Sequence, residues 1–141
     1  MCGALATAVD VLVFYLAATL LLPALNPGDP AARLLGWHAA AIPESVRSAH
    51  YVWDKVIAFM FSNLTAYIAN ILWVFTGGRH SRAVEFALFY AVSATSFALG
   101  TALGWALIRG TGCPTTYAYA ANAIASLAIN FAARKFIIFK N

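Results

Sequence analysis

The sequence has little of what catalytic and soluble proteins usually depend on. Charged residues make up 10% of its 141 residues, whereas a soluble domain averages roughly 25%. Its two cysteines form no CxxC pair, and its three histidines are scattered, so neither a disulfide scaffold nor a metal site is supported. No glycine-rich phosphate loop follows a strand, and no set of nucleophile, base and orienting residue is visible. We therefore expect a protein that is not an enzyme and holds no metal or cofactor.

Hydrophobic residues dominate instead. They account for 62% of the chain, and the mean hydropathy is +0.77. Nine Lys and Arg against five Asp and Glu give a net charge of +4, but these cations form no stripe interleaved with aromatic residues. The charges are better explained as residues at membrane edges, so we expect a membrane protein that binds no nucleic acid.

Four apolar stretches reach or approach the roughly 20 residues that a helix needs to cross a bilayer. They are residues 3–25, 56–75, 86–108 and 117–139. Unpaired backbone groups are costly in lipid and no strand alternation for a barrel is present, so each stretch is expected to be helical. The sequence predicts one all-α domain over residues 1–141, an integral membrane four-helix bundle with an interfacial loop at 26–55.

Two ten-residue segments, 66–75 and 130–139, are related and each closes an apolar stretch. Internal similarity of this kind predicts two related two-helix halves. Paired halves are a common plan among membrane proteins that move substrates.

The distribution of Lys and Arg predicts the orientation in the membrane. One side is expected to carry Arg79, Arg82, Arg134, Lys135 and Lys140, and the other Arg33, Arg47, Lys55 and Arg109. The first group is denser and lies beside helix ends, so both termini are expected in the cytoplasm. Aromatic residues are expected to form a belt at the outer interface: Trp37, Tyr51, Trp53, Trp105, Tyr117 and Tyr119.

Asp10 is the only acidic residue well inside an apolar stretch. A carboxylate there is costly unless it is paired or hydrated, so it should point inward. Two interpretations remain open: a contact with a proton or a lipid headgroup, and a capping or packing role near a membrane edge.

Polar side chains also follow one face of two predicted helices. Asn63, Tyr67 and Asn70 share a face of the second helix, and Asn122, Ser126 and Asn130 form a ridge on the fourth. Hydrogen bonding between helices is one explanation, and a polar path or headgroup site between the halves is the other.

Basic residues lie where these polar faces end. Arg134 and Lys135 follow the ridge of the fourth helix, and Arg79 and Arg82 occupy the equivalent point of the first half. They could bind a lipid phosphate or extend to the interface as topology signals. Ser96, Gly100 and Gly104 form a ladder of small residues that predicts close helix packing within the chain or in a homodimer.

The chain resembles the GtrA-like family of small membrane proteins. The last segment matches the family ending with Asn130, Phe131, Arg134, Lys135 and Phe139; the first keeps Tyr67, Asn70, Trp73, Val74 and Phe75 but has Ala66 and Ile71 in place of Asn and a basic residue. The early Gly3 to Asp10 spacing and the four-span plan add to the likeness.

The resemblance implies a role in cell-surface polysaccharide synthesis in a bacterial or archaeal membrane. A translocator of polyprenyl-phosphate-linked sugar is the first hypothesis, with substrate contacts from Asp10, Asn70, Asn130, Arg134, Lys135, Arg79 and Arg82. A membrane anchor for a glycosyltransferase is the second, and a small drug exporter driven by a proton on Asp10 is the third. Expected partners are the lipid-linked sugar, membrane lipids, a glycosyltransferase and a second copy of the chain.

Overall fold

The computed structural model describes residues 2–73 and 82–133. Helix α1 spans Cys2–Leu16 and continues as a π-helical segment over Ala17–Leu21. The remaining helices are α2, Pro30–Leu34, α3, Glu44–Trp73, α4, Arg82–Thr111, and α5, Thr115–Ala133. No strand occurs in these described ranges. The prediction of an all-α fold is confirmed.

Three segments of the described chain are long and apolar enough to cross a membrane: Gly3–Leu21, Glu44–Trp73 and Tyr90–Thr111. They correspond to the first three predicted spans and support an integral membrane protein. A fourth crossing by α5 stays a prediction. Many large apolar side chains on these helices face outward, as they should when the surrounding solvent is lipid.

The long helices pack in sequence-adjacent pairs. Helix α1 lies against α3, α4 lies against α5, and α3 joins the two pairs through contacts with α4. Connected neighbours therefore run antiparallel. The first turn of α1 lies at the same end of the bundle as the last turns of α3 and α5 and the first turn of α4. That the two pairs are related copies stays a prediction.

Helix α3 begins much earlier than the predicted second span. Pro43 precedes it, and Glu44 occupies its first turn, where proline needs no N–H partner and an acid faces the positive end of the helix dipole. The predicted interfacial loop at 26–55 therefore contains α2 and the first turns of α3. Hydropathy placed these turns outside the span because they carry Arg47, Asp54 and Lys55, yet all three side chains are buried.

Arg47 ties one end of the bundle together. Its guanidinium donates to the backbone oxygens of Cys113, at 2.8 Å, and Gly112, at 3.2 Å, in the turn between α4 and α5. It also donates to Thr115 Oγ1 at 3.1 Å and to the carboxylate of Glu44. Gly112 adopts a φ of 64°, which permits this tight turn.

Asp29 makes the second connection at this end. Its Oδ1 accepts from the backbone N–H of Ala31 at 2.9 Å and so caps α2. Its Oδ2 accepts from the backbone N–H of Thr116 at 2.9 Å, and the Thr116 hydroxyl also donates to this carboxylate. The loop after α1 is thereby fixed to the start of α5. We call this end, held by Arg47 and Asp29, the tied end.

Candidate functional site

A polar cavity of about 320 Å³ lies between α1, α3, α4 and α5 toward the opposite end, which we call the cavity end. Its apolar wall includes Ala6, Phe59, Ala66, Phe97 and Leu127. Its polar lining comes from all four helices and consists of Thr7, Asp10, Lys55, Ser62, Asn63, Ser93, Ser96, Tyr119, Asn122 and Ser126. Polar side chains are energetically unfavourable inside an apolar membrane bundle. Their concentration here identifies the cavity as the candidate site.

Asp10 is the centre of the cavity's hydrogen bonding. Its Oδ2 accepts from Lys55 Nζ at 2.9 Å and from the hydroxyl of Tyr119 at 2.6 Å, while its Oδ1 accepts from Ser62 Oγ at 3.2 Å. These partners come from α3 and α5. The carboxylate is therefore paired, as an acid within an apolar helix must be, and it links the two helix pairs.

Among the described residues, Lys55 supplies the positive charge at this site. Its side chain is 7% exposed, and its ammonium group lies 4.6 Å from the ring centroid of Tyr119 and 5.8 Å from that of Phe14. Both distances are within the range of cation–π attraction, which compensates part of the lost hydration. Lys55 thus offers a positive charge, held in place, at the cavity wall.

Asn122 joins the cavity to the core. Its amide nitrogen donates to Tyr51 OH at 3.0 Å, and its Oδ1 accepts from Ser126 Oγ at 3.2 Å. A Cβ placed on Gly100 would lie 2.7 Å from Asn122 Oδ1 and from Ser126 Oγ. The absence of a side chain at Gly100 therefore allows α4 and α5 to approach, in agreement with the packing proposed for the small-residue ladder.

Asn63 is buried at the cavity wall, and its amide nitrogen has no hydrogen-bond partner among the described residues. An unpaired buried donor normally costs on the order of 1–3 kcal/mol. An unpaired donor in a residue that lines a polar cavity is a feature that calls for an explanation.

The sequence-predicted site residues are only partly described. Asp10 lines the cavity. Asn70, Arg82 and Asn130 lie on described stretches of α3, α4 and α5, but their side chains lie outside the described part of the structure. Arg79, Arg134 and Lys135 lie wholly outside the described residues.

Two residues that line the cavity, and a third that contacts its lining residue Asn122, differ from their predicted positions. Lys55 was assigned to the outer loop but is buried in α3 against Asp10. Tyr51 and Tyr119 were assigned to the interfacial belt, yet Tyr51 is fully buried and Tyr119 donates to Asp10. A lone acid inside the membrane is unfavourable without a cation nearby. This requirement could have identified Lys55, which lies just before the predicted second span.

Asp54 is a second buried acid on α3, away from the cavity lining. It is fully buried, and neither carboxylate oxygen has a hydrogen-bond partner in the described part of the chain. Its neighbour Lys55 is engaged with Asp10. A buried acid without donors destabilises a fold, because the polar group loses water and gains nothing in return.

We expect Asp54→Leu to raise the free energy of unfolding by about 1–3 kcal/mol, because it removes an uncompensated polar group of similar volume. Thermal unfolding of the purified protein in detergent measures the change. Asp29→Leu is the matched control, since Asp29 is equally buried but fully hydrogen-bonded, and it should lower stability. A loss of stability in both variants would contradict the interpretation of Asp54.

No group of three or more His, Cys, Asp or Glu residues that could hold a metal ion occurs in the described ranges. The donors at the cavity are a lysine, hydroxyls and amides around one carboxylate. Such a set suits an anion with hydroxyl groups better than a cation.

A family model described as GtrA/DPMS, transmembrane domain, matches residues 1–139. The chain belongs to this family. No curated protein and no solved structure matches it significantly. Membership supports a role in the translocation or processing of lipid-linked sugars at the membrane by a small integral membrane protein that is not by itself a catalytic enzyme. The resemblance drawn from the repeated segments is thereby confirmed.

Proposed function

We propose that this GtrA/DPMS protein translocates a polyprenyl-phosphate-linked sugar across the membrane. The observation that carries the proposal is the polar cavity inside an apolar bundle, with Lys55 and Asn63 at its wall. Anchoring a glycosyltransferase does not require an internal polar cavity, whereas moving a headgroup through the bilayer does.

The size of the cavity limits the headgroup. Its volume of about 320 Å³ is at the small end of the roughly 300–1,000 Å³ typical of ligand pockets. It suits a phosphate with one sugar residue. The hydrocarbon tail would remain outside, in the bilayer.

The polar groups divide naturally between the two parts of such a headgroup. Lys55 would exchange part of its contact with Asp10 for the lipid phosphate, with Asn63 as a second donor. Ser62 and Asn122 present oxygen atoms that can accept from sugar hydroxyls.

The basic residues of the sequence extend this site in the proposal. Arg79 follows α3 in the sequence, Arg82 is the first residue of α4, and Arg134 and Lys135 follow α5, so chain connectivity favours the cavity end for all four. With Asn70 and Asn130 they would attract the phosphate before it enters the cavity. Arg47 and Lys55 are buried in α3, so few cations remain for the loops at the tied end. Since cytoplasmic loops carry the excess of Lys and Arg, this favours a cytoplasmic cavity end and cytoplasmic termini.

We expect Asn63→Leu to lower the rate of translocation about tenfold, the loss that corresponds to one hydrogen bond to a charged group. Stability should be equal or higher, because the substitution removes a buried amide nitrogen that has no partner to lose. The assay reconstitutes purified protein in vesicles and follows a labelled polyprenyl-phosphate hexose. Asn26→Leu, at the tied end, is the control and should move lipid at the normal rate.

The same assay distinguishes the alternatives. If the unaltered protein moves no lipid but copurifies with a glycosyltransferase, the anchor hypothesis replaces translocation. The drug-exporter hypothesis has less support, because three donors already occupy the oxygens of Asp10 that would have to take up the proton.

A further inference from the structure

A second depression lies on the outer face of the bundle between α3 and α4. It has a volume of about 400 Å³ and is lined by Val52, Phe97, Ala98, Thr101, Ala102 and Trp105. We call it the apolar groove. Its Thr101 hydroxyl is buried and accepts from Asn122 at 3.4 Å, so this polar atom is directed into the bundle. The groove therefore presents hydrocarbon to its surroundings.

Phe97 lines both the apolar groove and the polar cavity. Its ring stacks on Phe59 of α3, with centroids 4.4 Å apart and planes inclined by 30°. Phe59 lines the cavity. Phe97 is thus a wall residue of both compartments, the polar cavity and the apolar groove.

A polar cavity beside an apolar groove matches the two parts of an amphiphile, a polar headgroup and a hydrocarbon chain. A headgroup in the cavity and a hydrocarbon chain in the groove would both contact Phe97. Bulk lipid would fill the groove without regard to what the cavity holds. A binding site for one particular molecule requires the two compartments to be adjacent, and Phe97, which lines both, shows that they are.

We propose that the apolar groove binds the first part of the isoprenoid chain of the same lipid whose headgroup occupies the cavity. The proposal rests on the proposed function. It adds that the chain, and not only the headgroup, is recognised, through packing against Phe97, Ala102 and Trp105. Van der Waals packing of this kind is what associates hydrocarbon groups within a bilayer.

The test fills the groove with Ala102→Trp. Ala102 is exposed, so the larger side chain can be accommodated without disrupting the core. Ala120→Trp on α5 is the matched control, since Ala120 is exposed and lines neither compartment. The probes are a long-chain polyprenyl-phosphate hexose and a short-chain analogue in which a methyl group replaces the whole isoprenoid, so that it carries the same headgroup and no isoprene unit. Binding is measured in phosphatidylcholine nanodiscs, and transport is measured in vesicles of the same lipid.

We expect Ala102→Trp to weaken binding of the long-chain probe about tenfold, equivalent to roughly 1.4 kcal/mol, and to leave binding of the short-chain probe unchanged. Ala120→Trp should affect neither. Equal loss of both probes, or no loss, would overturn the proposal. So would a change from dimer to monomer without an effect on lipid binding, because the groove would then hold a second copy of the chain. Chain-dependent binding without transport would defeat the proposed function and leave the groove assignment intact.

Discussion

Lys55→Met is expected to abolish translocation and to lower the free energy of unfolding by about 3 kcal/mol, the lower end of the cost of breaking a buried ion pair. The substitution keeps a long side chain but removes the cation from Asp10, whose part-buried carboxylate then keeps only the hydroxyl donors Tyr119 and Ser62. Vesicle transport of a labelled polyprenyl-phosphate hexose measures the first effect. Thermal or denaturant unfolding in detergent measures the second.

The double variant Asp10→Asn with Lys55→Met separates the two effects. It removes both charges, so most of the lost stability should return, while transport should remain absent because no cation is left to bind phosphate at the wall. Recovery of transport in the double variant would show that the Asp10–Lys55 pair serves the fold alone.

Gly104→Ala is expected to prevent normal assembly of the bundle. A Cβ at this position would lie 2.1 Å from the Tyr51 hydroxyl oxygen and 2.6 Å from Tyr51 Cζ, and both the glycine and the tyrosine are buried. Overpacking of a core commonly costs about 1–3 kcal/mol, and contact this close with a rigid ring favours the upper part of that range. The yield of monodisperse protein and its melting temperature measure the effect.

Two variants test the cause of that effect. Gly110→Ala places the same methyl group on α4 where nothing lies within 4 Å, so it should leave the melting temperature unchanged or raise it slightly through helix propensity. Tyr51→Leu combined with Gly104→Ala removes the clashing ring and should recover part of the loss. If Gly104→Ala behaves like Gly110→Ala, the close contact with Tyr51 does not limit packing.

The apolar spans could be predicted because bilayer thickness imposes helix length on composition. Residues 3–25 and 86–108 were recognised without tertiary information, and Gly3–Leu21 and Tyr90–Thr111 are apolar helices in the structure. The start of α3 could not be found in the same way. Hydropathy treats Arg47 and Lys55 as solvated, whereas the Cys113 carbonyl and the Asp10 carboxylate compensate them inside the fold.

The site was predictable only in part for a related reason. A lone acid in an apolar helix predicts that some cation will be near it, but it does not say which of nine. Tyr119 illustrates the same limit, because a tyrosine at an interface and one that donates to a buried carboxylate look identical in sequence. The distances between side chains on three helices identify Lys55 and Tyr119 as partners of Asp10. These distances depend on helix packing, which the periodicity of the sequence does not encode.

Under the proposed function, a headgroup that leaves at the tied end would have to displace the hydrogen bonds of Arg47 to Gly112 and Cys113 and those of Asp29 to Thr116. Hydrogen bonds to charged groups contribute about 1.5–3 kcal/mol each, so rupture of this clasp sets a barrier that rises with every bond kept. The proposed translocation would therefore have its slow step at the tied end, the end of the bundle opposite the cavity.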